Sequence, residues 1–354
     1  MDGTAIVLCD GQYATANGKT AHGLVRGSDR FRVLAVIDPP SAGRDAGEVL
    51  DGRVRDIPIY ASLQEALSGL PVKPDWCIVG IATHGGQLTA GLRTQIAEAI
   101  DLGLGIVNGL HGFVGDDPDL AAQAAAQGVA IVDVRRPRPR SELHFWTGEV
   151  LKLAVPRLSV LGTDCALGKR TTTRLLLAEC NRALIRTEMI YTGQTGWMQG
   201  AACGFILDST VNDFVSGEVE RAILTCVAKF DPELILIEGQ SSLRNPSGPC
   251  GAELLLSAGA KGVILQHAPG RLHFDDYEDL DLRIPPIAEE IALIRLLGAR
   301  VLAVTLNGTG LSAEALIDHQ NRLTAELGLP VVRPLEEGVA PLLPVVREFL
   351  ERKR

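Results

Sequence analysis

The stretch LSVLGTDCALGKRTTTRLLLAEC, residues 158–180, decides the fold of the second half of this chain. It starts as an apolar run, continues as a loop that Gly162 opens and Gly168-Lys169 closes, and ends with helical periodicity. Backbone N–H groups at the start of a helix attract anions, glycines permit close approach, and a lysine adds positive charge. The pattern therefore predicts a phosphate-binding loop between a buried strand and a helix.

The loop departs from the usual G-x-x-x-x-G-K-[ST] pattern in two ways. Five residues, rather than four, separate Gly162 from Gly168, and Arg170 stands where a Ser or Thr normally binds Mg²⁺. A guanidinium cannot ligate a cation but offers a second positive fork for phosphate, so we expect a bound diphosphate without chemistry at a γ-phosphate. Thr171 could replace the missing ligand, and hydrolysis stays open. The expected contacts of the cofactor phosphates are Gly162, Thr163, Asp164, Cys165, Ala166, Leu167, Gly168, Lys169, Arg170, Thr171 and Thr172.

Other segments that follow predicted strands carry polar side chains suited to a ligand. ELILIEGQSSLRNPSG (233–248) ends its apolar run at Glu238, a carboxylate that could orient a water, a metal or an amine proton. The Gly-rich loop GQTGWMQG (193–200) offers amide and hydroxyl groups for close substrate contact. Asn307, at the end of a late strand, is expected to contact a nucleotide base, and Arg271 to bind a substrate carboxylate.

Apolar runs recur along the whole chain, each followed by a turn and a segment of helical period. Runs without in/out alternation are typical of strands covered on both faces, and their alternation with helices predicts parallel, doubly wound sheets. The segment RTEMIYT (186–192) is also predicted to form a strand. The other runs lie at 5–9, 31–37, 75–82, 105–109, 129–134, 157–162, 233–239, 261–267, 300–308 and 329–334.

The arginine- and proline-rich segment RRPRPRSE (135–142) divides the chain, and we expect it to be a solvated, extended linker. The predicted fold class is α/β, with a Rossmann-like parallel-sheet domain at residues 1–140 and a P-loop NTPase-like doubly wound domain at 141–354. The first domain lacks G-x-G-x-x-G after its first strand, so NAD binding is not supported. Turns explain the glycines of THGGQL (83–88) and NGLHGF (108–113), for which we expect structural roles.

The composition argues against several classes of protein. Lys and Arg number 34 and Asp and Glu 43, a formal charge of −9 that argues against binding to nucleic acid or anionic membranes. No uncharged apolar run approaches the roughly 20 residues that span a bilayer, and the N-terminus lacks signal-peptide features, so we expect a cytoplasmic protein. Seven cysteines without a C-x-x-C pair argue against a disulfide framework or structural zinc. A homo-oligomer is the general expectation for such a protein.

The combined motifs resemble those of a family of bacterial and archaeal two-domain P-loop proteins that includes D-glutamate N-acetyltransferases. The GTD opening of the loop is also similar to dethiobiotin synthetase-type proteins. The family resemblance implies acetyl-CoA as co-substrate and an acidic amino acid, foremost D-glutamate, as acetyl acceptor. The segments that carry it are KTAHGLVR (19–26), VIDPPSAGRDAG (36–47), GIATHGGQL (80–88), IVNGLHGFVGDDPDL (106–120), GTDCALGKRTTTRLLLAEC (162–180), TGQTGWMQG (192–200), NDFVSGEVE (212–220) and IEGQSSLRNPSG (237–248).

Direct acetyl transfer needs a base for the substrate ammonium, donors for the thioester oxyanion and cations for the carboxylates. We assign Glu238 as the base, and Arg244 and Arg271 as carboxylate clamps. An acyl-enzyme at Cys165 is conceivable, although we expect this thiol to fill space. The candidate oxyanion donors are main-chain N–H groups or the side chains of Gln194, Thr195 and Gln240.

Two other functions fit the same residues. An ATP-dependent ligase or kinase of the dethiobiotin synthetase type would bind Mg-ATP, with Mg²⁺ on Asp164, Thr171 and Glu238. A regulatory protein would bind a nucleotide without catalysis. Arg170 discriminates between the transferase and the ligase, because a loop that uses Mg²⁺ ordinarily has a hydroxyl at that position.

Overall fold

The computed structural model describes residues 2–352, and His84 by its backbone alone. The chain divides into two compact units. One runs to Pro137 and also includes Gln194–Ala201, and the other comprises Arg138–Gly193 and the chain from Ala202 onward. The two-domain division at residue 140 that the sequence suggests did not anticipate this excursion of a short segment into the first unit.

The first unit is a parallel α/β fold. Among the described residues its sheet has six strands: β1 (Gly3–Leu8), β2 (Phe31–Ile37), β3 (Ile59–Tyr60), β4 (Trp76–Val79), β5 (Gly105–Asn108) and β6 (Ile131–Asp133). Its helices include α1 (Lys19–Arg26), α2 (Ala46–Asp51), α3 (Leu63–Gly69), α4 (Ala90–Asp101) and α5 (Pro118–Gln127). The strand order β3-β2-β1-β4-β5-β6 is that of a Rossmann fold. Strands β2 and β3 are added on one side of β1, and β4, β5 and β6 on the other side.

The second unit has a parallel sheet of seven strands within the described residues. The strands are β7 (Arg157–Gly162), β8 (Thr187–Tyr191), β9 (Cys203–Gly204), β10 (Leu234–Glu238), β11 (Gly262–His267), β12 (Arg300–Leu306) and β13 (Val331–Val332). The remaining helices are α6 (Lys169–Arg182), α7 (Gln194–Met198), which belongs to the first unit, α8 (Asn212–Phe230), α9 (Ala252–Leu256), α10 (Ile287–Leu296), α11 (Ala313–Leu327) and α12 (Leu343–Glu351). The sheet order β13-β12-β11-β7-β10-β8-β9 places β7 at its centre.

Both faces of the second sheet are covered, as the continuous apolar runs predict. On β10, Leu234 and Leu236 join one apolar cluster, whereas Ile235 and Ile237 join another. The α/β fold class is confirmed, and each predicted run contains a strand. The two-residue strands β3 and β9 were not predicted, whereas β13, which is equally short, lies within the predicted run at 329–334. No helix within residues 2–352 combines the length and apolarity that a membrane span requires.

The Gly-rich segment Gln194–Ala201 packs inside the first unit. The hydroxyl of Thr195 lies 3.2 Å from that of Thr20, and the Gln199 amide donates to the Gly23 carbonyl at 2.7 Å. The guanidinium of Arg30 lies 4.2 Å from the ring centroid of Trp197. The conspicuous motif at 193–200 is thus largely a packing element of the Rossmann-like fold.

The arginine-rich segment is exposed over most of its length, as expected of a linker, but several of its arginines have specific partners. Arg135 is buried and donates to the Gly109 carbonyl, and Arg136 pairs with Asp133 in the first unit. Arg138 pairs with Glu218 on α8 of the second unit. The segment is therefore held at both ends by specific bonds, because the units on either side supply acceptors that the local composition does not reveal.

The motif NDFVSGEVE on α8 anchors the chain that enters the second unit. Glu218 and Glu220 are buried; Glu218 accepts from the main-chain N–H of His144 at 2.9 Å, and Glu220 from that of Val150 at 3.1 Å. A Cβ at Gly217 would lie 1.8 Å from the His144 carbonyl oxygen, so only glycine permits this approach. This motif is structural.

Candidate functional site

The candidate site is the loop between β7 and α6, at the carboxyl end of the central strand of the second sheet. β7 pairs with β10 on one side and β11 on the other. Several main-chain N–H groups of this loop find no hydrogen-bond acceptor among residues 2–352. Unpaired main-chain N–H groups are rare, and a run of them forms a concavity that binds anions. They belong to Asp164, Cys165, Ala166 and Gly168.

The glycines of the loop serve two purposes. Gly168 has φ 97°, a left-handed value that favours glycine, with no atoms close to where a Cβ would stand. A Cβ at Gly162 would lie 3.0 Å from Cδ of Lys169 and 3.3 Å from the Gln266 carbonyl oxygen. Gly162 therefore makes room for the lysine stem, and Gly168 makes the turn into α6.

Lys169 is a buried cation that forms no ion pair with a carboxylate among the described residues. Its side chain is 6% exposed, and Nζ donates to the Asp164 carbonyl oxygen at 2.5 Å. Burial lowers the pKa of this ammonium, and the positive charge of Arg271 lowers it further, whereas the Asp164 carboxylate opposes the shift. A buried charge of this kind is stabilised by an anionic ligand.

The hydroxyls of the first turn of α6 are partly engaged in internal bonds. Thr172 donates to Oε1 of Gln266 at 2.6 Å, and Thr173 donates to the Lys169 carbonyl at 2.8 Å. Thr171 is half-buried and stays a candidate ligand contact, as does Arg170 beside it.

Glu238, at the end of β10, is 3% exposed. Its Oε2 accepts from the Thr192 N–H at 3.1 Å, and the Gly193 N–H also donates to the carboxylate. Burial raises the pKa of Glu238 above its ordinary value, although the positive charge of Arg170 and these N–H groups oppose the shift. A carboxylate of raised pKa is a better proton acceptor near neutral pH than an exposed one.

Gln240 lies beside this carboxylate. Its Nε2 donates to the Thr192 hydroxyl at 3.1 Å, and that hydroxyl donates to the Glu238 carbonyl at 2.8 Å. Because an amide nitrogen carries two hydrogens, Gln240 retains one for a substrate. It therefore stays a candidate oxyanion donor.

Asp164 is fully buried and acts as a hub for two neighbouring segments. Oδ1 accepts from Nδ2 of Asn245 at 2.9 Å. Oδ2 accepts from Nη1 of Arg271 at 2.9 Å and from the Asp275 N–H at 2.8 Å. With this set of donors, Asp164 holds the loop together and offers no free oxygen to a metal ion.

The donor set predicted for Mg²⁺ is already engaged in part by hydrogen bonds within the protein. Asp164 is enclosed by hydrogen-bond donors, Glu238 is held by two main-chain N–H groups, and Arg170 occupies the usual hydroxyl position. Mg²⁺ requires several oxygen ligands in near-octahedral geometry. Thr171 and Glu238, which accepts two main-chain hydrogen bonds and keeps further lone pairs, are the members of the predicted set with an oxygen available.

Two residues at the ends of neighbouring strands brace the loop. The Asn307 amide donates to the Leu167 carbonyl at 2.9 Å, and its oxygen accepts from the Thr309 N–H. One hydrogen and one oxygen lone pair of the Asn307 amide are used in this way, and a second of each is left, so Asn307 stays a candidate contact for a nucleotide base. Nδ1 of His267 lies 3.0 Å from the Thr163 hydroxyl, and burial lowers the pKa of this histidine to about 4, so it is neutral at neutral pH.

The structure gives other roles to several predicted site residues. Gln194 and Thr195 are buried within the first unit, where the Thr195 hydroxyl is already paired with Thr20, so their assignment as oxyanion donors is not supported. Arg244 is not a free carboxylate clamp, because Nε pairs with Glu290 and Nη1 with Glu289, both at 2.7 Å.

Asn245, Asp275 and Ser241 were missed by the sequence analysis. Asn245 and Asp275 reach the loop only through the fold, from segments 81 and 111 residues distant from Asp164. Ser241 has φ 38° and its hydroxyl lies 3.4 Å from the Cys165 thiol. The one available signal was the polar composition of SSLRNPSG after a strand, which turn chemistry alone also explains.

The strand-end loop NGLHGF of the first unit is structural, as expected. The Asn108 amide donates to the Gly112 carbonyl and to Asp133, both at 2.8 Å. Asp133 also accepts from the N–H groups of Val114 and Gly115 at 2.9 Å. The side chain of His84, in the other glycine-rich loop, lies outside the described part of the chain.

Two family descriptions match the chain. Residues 144–343 match DUF1611_C, described as a P-loop domain, and residues 39–137 match DUF1611_N, described as a Rossmann-like domain; both are described as domains of unknown function. A crystal structure of a DUF1611 family protein from Anabaena variabilis has a TM-score of 0.88 with 29% sequence identity. That similarity covers 98% of this chain and 99% of the other.

Two curated relatives carry an activity in their names. A protein named D-glutamate N-acetyltransferase from Tritonibacter scottomollicae is 30% identical over 275 residues, which is 75% of this chain and 79% of the relative. Another of the same name, from a Pseudoalteromonas species, is 30% identical over 270 residues, 74% of this chain and 78% of the relative.

Proposed function

The chain belongs to the DUF1611 family, and on that basis we propose that it transfers the acetyl group of acetyl-CoA to the amino group of D-glutamate. The names of the two curated relatives support the reaction and the acceptor. The geometry of the loop supports the donor, because coenzyme A contains a diphosphate and a further phosphate that an anion-binding loop can hold without cleaving them.

The single observation that carries the proposal is the set of N–H groups of Asp164, Cys165, Ala166 and Gly168, which have no acceptor within the described part of the chain and lie in the loop before the buried Lys169. Main-chain N–H groups and one lysine provide both directional donors and charge for a diphosphate. Arg170 adds charge at the position where a nucleotide-hydrolysing loop would hold Mg²⁺. This combination suits a ligand that is bound by its phosphates and reacts elsewhere.

The proposed reaction is direct transfer. Glu238 takes one proton from the substrate ammonium, and the resulting amine attacks the thioester carbonyl carbon. A C–N bond forms, the C–S bond breaks, and coenzyme A leaves as a thiolate that takes the second proton from nitrogen. Gln240 is the remaining side-chain candidate for stabilising the oxyanion, because its second amide hydrogen is available.

A thiol-release assay tests the proposal. The full chain is incubated with acetyl-CoA and D-glutamate in EDTA, with L-glutamate, D-aspartate and ATP plus Mg²⁺ as comparison arms. We expect coenzyme A release that depends on D-glutamate, equals the N-acetyl-D-glutamate formed, and needs neither ATP nor Mg²⁺. Product formation that requires Mg-ATP would instead support a ligase. Binding of nucleotide without turnover in any arm would support a regulatory protein.

A further inference from the structure

A second cation lies against the phosphate-binding loop and comes from a different part of the chain. Arg271 is 23% exposed. Its Nη1 donates to the Cys165 carbonyl at 2.9 Å and to Oδ2 of Asp164 at 2.9 Å, so the guanidinium is fixed directly on the loop backbone. Within residues 2–352, Nε and Nη2 of Arg271 have no hydrogen-bond partner.

The segment that carries Arg271 is a small hairpin with its own anchors. The Phe274 N–H donates to the Leu282 carbonyl at 2.9 Å, and the Ile284 N–H to the Leu272 carbonyl at 2.8 Å. Phe274 is 4% exposed, and the Asp275 N–H is bonded to Asp164. Arg271 is therefore presented by a folded element and does not depend on a mobile side chain alone.

Two carboxylates face Arg271: Oδ2 of Asp164 lies 2.9 Å and Oδ1 of Asp275 3.4 Å from its Nη1, and both lie on the same guanidinium nitrogen. Asp164 is the one fully buried carboxylate bonded to Arg271, and its two oxygens already accept three hydrogen bonds. Lys169, whose pKa is lowered by burial and by the positive charge of Arg271, has no ion-pair partner among the described residues. A phosphate group at this loop would be bound by the unpaired N–H groups together with the donors that Lys169 and Arg271 have left.

We propose that Arg271 binds the same diphosphate as Lys169, and that Asp164 is the positioning residue that aims it. This replaces the sequence-based assignment of Arg271 as a clamp for a substrate carboxylate. A guanidinium with two donors on one edge suits a phosphate oxygen pair. The inference rests on the proposed function only for the identity of the diphosphate ligand as coenzyme A.

The test measures binding to the full chain by calorimetry, without turnover, using coenzyme A, ADP and inorganic pyrophosphate as probes. Arg271→Ala is expected to weaken all three by about tenfold to a hundredfold and to reduce the salt dependence of binding, because charged hydrogen bonds to phosphate are lost. Arg271→Lys should recover part of the loss. Arg283→Ala, an exposed arginine of the same hairpin that pairs with Asp281, is the matched control and should bind as the parent does.

Asp164→Asn tests the positioning role. This substitution should weaken the binding of pyrophosphate less than Arg271→Ala does. The double variant Asp164→Asn/Arg271→Ala should bind pyrophosphate as tightly as Arg271→Ala alone. An additive double variant would show that Asp164 acts on the loop and not through Arg271, and would overturn the positioning role. Equal melting temperatures of the variants separate this from misfolding.

Two results would overturn the proposal that Arg271 binds the diphosphate. One is pyrophosphate binding by Arg271→Ala that stays within twofold of the parent. The other is an Arg271→Ala enzyme whose KM rises for D-glutamate alone and not for acetyl-CoA. If the thiol-release assay detects no coenzyme A but Arg271→Ala still weakens the binding of pyrophosphate, the proposed function fails and the assignment of Arg271 as a diphosphate ligand is supported.

Discussion

The two units carry the same kind of element, a loop that follows a parallel strand and leads to a helix, but the polar groups of these loops differ. In the first unit, Asn108 and Asp133 both pair with main-chain groups of the loop that follows β5. In the second unit, the loop before α6 leaves N–H groups unpaired and gathers Lys169 and Arg271 beside them. The first arrangement stabilises the fold, whereas the second leaves hydrogen-bond donors and positive charge available to bind an anion.

A pair of lysines makes the contrast concrete. Lys19 is the first residue of α1 and Lys169 is the first residue of α6. The helix starts are alike, but Lys169 is buried among unpaired N–H groups and Lys19 is exposed. A lysine at the start of a helix therefore does not by itself indicate a ligand site. The indication comes from the unpaired N–H groups around it.

The largest expected effect is on catalysis at the second sheet. Glu238→Gln should lower kcat by about 10²–10⁴-fold, because an amide cannot take the ammonium proton. The acid limb of the parent kcat/KM profile should lie above pH 4.5, since burial raises the pKa of Glu238 and activity is lost as the pH falls through it. A pH–rate profile with an acid limb below pH 4.5, or a fully active variant, would contradict the base role.

The lysine pair gives the next largest effect. Lys169→Met should raise the KM for acetyl-CoA by about a hundredfold, since a charged donor to the diphosphate is lost. Lys19→Met is the control at the corresponding helix start and should leave this KM unchanged. Equal effects of the two substitutions, measured by steady-state kinetics, would mean that the contrast between the two loops is not functional.

Arg170→Ser separates phosphate binding from metal use. Coenzyme A should bind about tenfold more weakly in calorimetry, because one positive fork is removed. Binding of ATP should not become Mg²⁺-dependent, since the Asp164 oxygens stay bonded to Asn245, Arg271 and Asp275. Strong Mg-ATP binding by this variant would instead reveal a ligase-like loop masked by the arginine.

The smallest effect on function is expected in the first unit. Asp133→Asn should weaken the hydrogen bonds from the Val114 and Gly115 N–H groups and remove the ion pair with Arg136. Guanidinium denaturation should therefore show a free energy of unfolding lower by about 1–3 kcal/mol. The KM values for both substrates should not change. A raised KM at unchanged stability would place a ligand at this loop and remove the distinction between the units.

The sequence predicts the fold well because its signals are local. Continuous apolar runs mark β7, β10, β11 and β12, and the glycine pattern marks the loop between β7 and α6. Strands β3 and β9 are two residues long and lie outside the predicted runs. The packing of Gln194–Ala201 in the first unit depends on tertiary contacts, which local sequence patterns do not reveal.

The site was only partly predictable for the same reason. The sequence correctly predicted Lys169 at the start of a helix and Glu238 at the end of a strand, and the adjacent parallel strands β7 and β10 bring their carboxyl ends together. Arg244 has the right chemistry for a ligand but is bonded to Glu290, and Asn307 is bonded in part to the Leu167 carbonyl. Whether a polar side chain is available depends on partners far along the chain, and a single sequence does not reveal them.

The most direct measurement is calorimetric titration of the full chain with coenzyme A in EDTA, repeated with Mg²⁺ and with Lys169→Met. We predict binding in EDTA that Mg²⁺ does not strengthen, that inorganic pyrophosphate competes away, and that Lys169→Met weakens by about a hundredfold. Coenzyme A binding that survives Lys169→Met unchanged, or that appears only when Mg²⁺ is added, would contradict a phosphate site built from unpaired N–H groups and cations.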